Sequence, residues 1–340
     1  MAGAEFALIQ QLKRHLGSNG KDVRLGIGDD AAWLDPAGRT LLVSTDTLVA
    51  GRHFFANVSP QDLAWKALAV NLSDLAAMGG EARWCLLNLA LPPKAEGYEN
   101  WIEWFAQGWR ALADQHNVVL VGGDTVATDG PLSLSITVIG LASQGVMRRD
   151  AARPDDIIWV TGTLGDAAAA LDWAFAERGQ ADWTCVCSST HQRALEARRL
   201  RPTPRLDFAL AAQAGGVACA LDCSDGFLAD LQHILDASDV RAQVALDTLP
   251  VSPELAECLG SDRERWQRWP LSGGDDYELI LCAPPALSAF LQETAAAHAL
   301  RLTPVGKILA IADPHAPAVA LTWQGQQIDL PMSWGHEHVF

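Results

Sequence analysis

Five stretches of this chain set aspartate beside glycine or small hydroxyl residues at the ends of apolar, strand-like runs. They are Gly26-Ile27-Gly28-Asp29-Asp30, Ser44-Thr45-Asp46-Thr47, Gly122-Gly123-Asp124-Thr125, Asp222-Cys223-Ser224-Asp225-Gly226 and Ser272-Gly273-Gly274-Asp275-Asp276-Tyr277-Glu278. Neighbouring carboxylates repel, so a fold that gathers them needs a positive partner, most simply a divalent metal ion. Glycine lets the backbone turn tightly enough for the carboxylates to share a space. Taken alone, Gly26 to Ala32 reads as a solvated turn, because Gly-Asp is ordinary turn chemistry. The recurrence shifts the reading toward metal.

The segments between these stretches alternate strand and helix patterns. Apolar spacing predicts a helix from Phe6 to Leu16, closed by Gly17 to Gly20. Short extended runs follow around residues 23–28 and 31–34, then a strand from Thr40 to Ser44 that ends on the Asp46 loop. Ser59-Pro60-Gln61-Asp62 opens a helix that runs to Met78 and stops at Gly79-Gly80. Asn71 and Asp74 share one face of it. Strands are expected at Trp84–Leu91, Val118–Val121 and Leu132–Ala142, and a tryptophan-rich helix at Asn100–Gln115. Near residue 145 the chain turns polar, which places a boundary between an N-terminal domain, 1–145, and a C-terminal domain, 146–340. The second half repeats the alternation. Strands fall at Ile157–Thr161, Val217–Leu221, Val244–Leu246, Leu279–Cys282, from Pro304 and at 318–323. Helices fall at Ala167–Glu177, Phe227–Ala237 and 286–297. Gly162-Thr163-Leu164-Gly165 between strand and helix fits either a phosphate-binding helix N-terminus or a plain tight turn. Asp230 and His233, three apart, fit a metal pair or, more usually, a surface pair. The pattern is an α/β chain of the α+β type.

Length and charge agree with this. A chain of 340 residues suggests two domains. With 41 acidic and 25 basic residues the formal charge is −16, which argues against nucleic acid or an anionic membrane as partner. No apolar run reaches the length of a membrane-spanning helix, and Met1 to Gln10 lacks a basic leader region, so a cytoplasmic protein is expected. The seven cysteines are odd in number and form no CxxC pair. They are expected to be reduced and mostly buried, neither zinc ligands nor disulfides.

The acidic stretches, with Asp74 added from the helix, are hard oxygen donors of the kind that holds magnesium beside substrate phosphates. Several magnesium ions would neutralise a polyphosphate and its transferring group. Arg149 is a candidate phosphate clamp. The chain has no G-x-S-x-G elbow, no H-E-x-x-H and no Walker sequence. Metal-assisted phosphoryl chemistry is the reading, with direction, donor and acceptor open.

These motifs, in this order and spacing, closely resemble the thiamine-monophosphate kinase family. The resemblance is carried by Gly26–Asp30, Ser44–Val49, Asn71–Gly79, Gly122–Thr125, Val160–Asp166, Asp222–Gly226 and Ser272–Leu279. It implies the two-domain fold of aminoimidazole ribonucleotide synthetase and selenophosphate synthetase, with an N-terminal sheet that forms the interface of a homodimer. It implies ATP as co-substrate, thiamine monophosphate as acceptor, and several Mg2+ ions. By position it assigns metal binding to Asp30, Ser44, Thr45, Asp46, Asp74, Asp124, Asp222 and Asp225. It assigns ATP contacts to Gly123, Asp124, Arg149 and Ser224, and substrate contacts to His53, Asp275 and Trp334. No general base is expected, since the attacking phosphate oxygen is already ionised near neutral pH. Two departures stand out. Asp275 replaces a glutamate common in the family. The family's C-terminal Gly-aromatic-Asp-His-Phe appears as Gly335-His336-Glu337-His338-Val339-Phe340, with Trp334 as the candidate ring. Two alternatives stay open: another ATP-using synthetase of the same fold, or a non-catalytic magnesium- or nucleotide-binding protein. A selenophosphate synthetase would need a reactive cysteine near the N-terminus, and the first here is Cys85.

Overall fold

The computed structural model describes residues 11–16, 22–25, 33–93, 98–143, 145–179, 187–312, 315 and 317–331. The chain divides into two compact units. The first comprises Met1–Leu75 with Gly80–Ser143, the second Ala76–Gly79 with Gln144–Phe340.

In the first unit, residues 11–16 form helix α1, and β1 (Val23–Leu25) pairs with β2 (Trp33–Leu34). A four-stranded sheet follows, built from β3 (Leu41–Val49), β4 (Gly80–Leu91), β5 (Val119–Ala127) and β6 (Ser133–Ala142) in the order β3-β6-β4-β5. Only the β4–β5 pair is parallel. Strand β6 shows why one face is buried: Leu134, Ile136 and Val138 are fully buried, and the alternating Ser133, Ser135 and Thr137 are only half-buried. The side-chain period of two in a strand separates the two sets. Helix α2 (Pro60–Ala77) starts where the sequence places it. The Asp62 amide donates to Ser59 Oγ, and that hydroxyl donates back to the Asp62 carboxylate. This arrangement satisfies an amide that the first helical turn leaves unpaired. Helix α3 (Glu99–His116) buries Phe105 and Trp109, with Trp101 stacked on Phe105 at 4.9 Å. Each such side chain contributes about 1.5–3 kcal/mol by leaving water.

The structure corrects two of the expected loops. Ser44-Thr45-Asp46 and Gly122-Gly123-Asp124 lie inside β3 and β5, not beyond their ends. Both are edge strands, and an edge tolerates exposed carboxylates that a central strand would not. Asp46 is paired across the sheet with Ile136, and Asp124 with Asn88.

The second unit holds a seven-stranded sheet in the order β13-β12-β9-β11-β7-β10-β8. Its strands are β7 (Ile157–Thr161), β8 (Cys219–Cys223), β9 (Arg241–Ala245), β10 (Glu278–Ala283), β11 (Leu302–Leu309), β12 (Val319–Trp323) and β13 (Gln326–Ile328). Helices α4 (Asp166–Glu177), α5 (Ser189–Leu200), α6 (Leu206–Ala214), α7 (Phe227–Ser238), α8 (Pro253–Leu259), α9 (Arg263–Trp266) and α10 (Ser288–Ala297) complete it. Its main core joins Ile158, Val160, Leu221, Phe227, Leu231, Ile280 and Ile308.

Cys85, Cys219, Cys223 and Cys282 are free and buried, as expected. Cys187 and Cys258 are instead joined as a disulfide, with their Cα atoms 5.6 Å apart. The two share an apolar cluster with Leu195 and Leu255, an approach that their separation of 71 residues hides in the sequence. Among the described residues no helix is long and apolar enough to cross a membrane.

Candidate active site

In the first unit the acidic positions are set by strand alternation. Ser44 and Asp46 sit on the face of β3 that meets α2. Ser44 Oγ donates to Asp74 Oδ2 at 2.5 Å, and the Asp46 amide donates to Asn71 Oδ1 at 2.9 Å. Asn71 is fully buried and spends its Nδ2 on Ala67 O at 2.9 Å. It therefore couples helix α2 to the backbone at Asp46. The sequence puts Asn71 on the face of Asp74 but assigns it no role.

Thr45 takes the opposite face. Its hydroxyl donates to Ile136 O at 2.9 Å and accepts from Thr137 Oγ1 at 3.1 Å. The structure thus brings Ser44, Asp46 and Asp74 together and turns Thr45 away from them. Asp124 lies on the other edge of the sheet, in register with Asn88, Ser135 and Thr47. Three strand spacings amount to roughly 14 Å, so within one sheet Asp46 and Asp124 cannot share a single ion.

Gly123 beside Asp124 is required by the backbone. Its φ is +149°, and a Cβ there would stand 1.8 Å from Leu87 O on the paired strand. A pocket of about 80 Å³ opens beside it, lined by Leu12, Leu87, Leu120, Gly122, Asp124 and Thr125. His53 Nδ1 accepts the Val49 amide at 3.0 Å, which leaves the ring proton on Nε2.

In the second unit Asp222 is buried near the end of edge strand β8, and Ser224 and Asp225 follow in a tight loop. One side chain shapes that loop. Asp230, in the first turn of α7, accepts the amides of Ser224, Asp225 and Gly226 at 3.0, 3.0 and 3.1 Å. It is buried while His233 is exposed, so the two form neither a metal pair nor a surface pair. Burial, and then repulsion from Asp225, push the Asp230 carboxyl up to about 7 against the three amides that favour its charged form. Ser224 O accepts the Asp275 amide at 2.7 Å, which brings two of the assigned positions side by side. Arg149 is exposed, and its carbonyl accepts Ser238 Oγ at 2.9 Å.

The glycine loop before α4 is not an open phosphate cradle. The Gly165 amide donates to the Asp276 carboxylate at 2.8 Å. Asp166 is buried and accepts Ser252 Oγ at 2.6 Å and Thr163 Oγ1 at 2.7 Å. An internal carboxylate already occupies the position a phosphate would take. A polar pocket of about 140 Å³ lies next to it, with Arg198, Arg201, Arg205, Asp275 and Glu278 in its wall. Asp30 and Trp334 lie outside the described residues.

Among the described residues no three His, Cys, Asp or Glu side chains converge tightly enough to hold a metal ion. The donors present still fit magnesium in kind. They are hard oxygens, and magnesium is commonly held by one or two carboxylates with the rest of its shell from water and substrate phosphate. Asp74, in contact with Ser44, and the exposed Asp46 are two such carboxylates beside edge strand β3.

Family comparisons place the whole chain. Residues 28–142 match the AIR synthase related protein N-terminal domain, and residues 153–313 match the C-terminal domain of the same family. Thiamine-monophosphate kinase of Salmonella typhimurium is 44% identical over 286 residues, 84% of each chain. The crystal structure of thiamine-monophosphate kinase from Stenotrophomonas maltophilia superposes with a TM-score of 0.79 at 43% identity, covering 94% of this chain and 95% of that one. AaThiL complexed with AMPPCP and TMP gives a TM-score of 0.72 at 30% identity, covering 98% and 97%. With both domains matched and the acidic edge strands in place, the chain belongs to the thiamine-monophosphate kinase family.

Proposed function

We propose that this protein phosphorylates thiamine monophosphate to thiamine diphosphate, with ATP as donor and by direct in-line transfer. The observation that carries the reading is the complex of AaThiL, alike over nearly the whole chain, with AMPPCP and TMP together. Magnesium, when bound, supplies charge neutralisation between two polyanions. Within the first unit Asp30, Ser44, Asp46, Asp74 and Asp124 would hold magnesium ions; within the second, Asp222 and Asp225 would. Asn71 fixes the backbone at Asp46, and Ser44 orients the Asp74 carboxylate. For ATP, the candidate contacts are Gly123 and Asp124 in the first unit, and Arg149 and Ser224 in the second. For the acceptor, the candidates are His53, with its Nε2 proton, in the first unit, and Asp275 and Trp334 in the second.

The acceptor's phosphate oxygen is already ionised, so the chain contributes alignment and a preorganised field, not a base. Exposed apolar side chains on the first sheet, Leu41 and Val43 on β3 at 48% and 62% and Val126 on the opposite edge strand β5 at 49%, support a homodimer built on that sheet. The domains divide this work, with the N-terminal part, 1–145, carrying the metal–ATP site and dimerisation, and 146–340 completing the chain.

Incubation with γ-labelled ATP, magnesium and thiamine monophosphate tests the transfer step. Label is expected in thiamine diphosphate and none on the protein, and free thiamine is expected to be inert because it lacks the phosphate nucleophile. A labelled protein intermediate, or phosphorylation of free thiamine at a comparable rate, overturns direct transfer to a phosphate.

A further inference from the structure

Glu278 is the first residue of β10 and follows directly on Asp275-Asp276-Tyr277. It is 6% exposed, and its carboxylate is fully engaged. Arg205 grips it from two nitrogens, Nε at 2.7 Å and Nη2. Thr161 Oγ1 donates to it at 2.7 Å and in turn accepts the Leu279 amide at 2.8 Å. Gly162 closes the cage, since a Cβ there would fall 1.9 Å from Glu278 Oε1. Three segments distant in sequence therefore meet on one carboxylate.

The loop this cage terminates is strained. Asp275 and Tyr277 are not glycine, yet they hold φ of +75° and +53°. Such residues persist only where the surroundings over-determine them. The Asp275 and Tyr277 amides donate to Ser224 O and Cys223 O at 2.7 and 2.8 Å, and Asp276 takes the Gly165 amide. The ladder to β8 already pairs Glu278 with Cys223, and the Arg205–Glu278 pair adds a side-chain anchor at the same point, where the loop enters β10.

We infer that Arg205, through its two-point ion pair with Glu278, is a positioning residue that sets the reach of Asp275 toward the phosphate acceptor. This rests on the functional reading above. It distinguishes the two substrates. Ser224, on the ATP side, lends its carbonyl to the Asp275 amide, but its own amide is held by the Asp230 cradle, which does not involve Glu278. Loss of the pair therefore moves the acceptor contact and leaves the nucleotide contact in place. A lysine at 205 keeps the charge but cannot make the planar two-point contact.

The test compares Arg205→Lys with a double variant, Arg205→Met with Glu278→Leu, which removes both charges so that neither is left buried alone. In both, KM for thiamine monophosphate is expected to rise roughly tenfold or more, with KM for ATP within about twofold of wild type. Hydrogen exchange of the Asp275 and Tyr277 amides is expected to quicken about tenfold, while that of Ser224 to Gly226 stays unchanged. An unchanged KM for the acceptor in both folded variants overturns the inference, as does an equal rise for both substrates. If wild-type protein is inert toward thiamine monophosphate, the functional reading has failed, and the exchange measurement alone decides whether Arg205 orders the loop. Unchanged exchange then overturns that too.

Discussion

Asn71 is the clearest case of a single side chain that ties fold to site. Its amide is spent on both ends, one on Asp46 and one on Ala67. Asn71→Leu keeps the volume but leaves the Asp46 amide without its acceptor, at a cost of about 1–3 kcal/mol. Chemical denaturation should show that loss, and turnover should fall by more than the lost stability explains. Asp166 gives a prediction of opposite character. Burial raises its carboxyl above the ordinary value, opposed by Ser252, by Arg198 at 3.3 Å and by Thr163, with Glu254 adding to the rise. Asp276 also faces it and is itself raised well above the ordinary value by burial. The folded state therefore holds the Asp166 proton more tightly than the unfolded chain. Its contribution to stability is complete below the unfolded pKa of 3.8 and is lost as pH rises through the higher folded value. Asp166→Asn should flatten the dependence of unfolding free energy on pH above about 4, as read from denaturant midpoints in a series of buffers. An unchanged slope would contradict this.

At the scale of elements, β3 and β5 carry the acidic residues on the two edges of one sheet. Gly123→Ala would force a side chain against Leu87 O and a φ of +149°, so β5 should part from β4 next to Asp124. The backbone term alone is about 1–3 kcal/mol, and a lowered melting temperature with loss of nucleotide binding is the expected outcome. Much of this was legible in residue patterns. Ser133 to Ala142 alternates apolar and small polar residues, and Ser59 to Asp62 announces the start of α2, so both elements fall where the periodicity places them. What escaped is long-range. Glycine or small hydroxyl residues beside aspartate read as a turn, yet a sheet edge lets β3 and β5 run on through those residues. Asp230 shapes a loop four to six residues away, and Arg205 meets Glu278 across 73 residues. No local period encodes either contact, nor the meeting of Cys187 with Cys258.

For the whole molecule, the acidic positions are divided between two units. The first holds Asp46, Asp74 and Asp124, and the second Asp222, Asp225 and Asp275. Net charge of −16 suits a protein that gathers anionic substrates only with cations. Carboxylates that serve metal are dispensable for folding, because their mutual repulsion costs stability when the ion is absent. Asp46→Asn and Asp124→Asn should therefore keep the wild-type circular dichroism spectrum and lose turnover by at least roughly a thousandfold. The most direct measurement supplies ATP, magnesium and thiamine monophosphate to the purified protein and counts both products. The account predicts ADP and thiamine diphosphate in equal amounts, formation of both stopping when EDTA removes the metal. ADP without thiamine diphosphate, or undiminished product in EDTA, would contradict it.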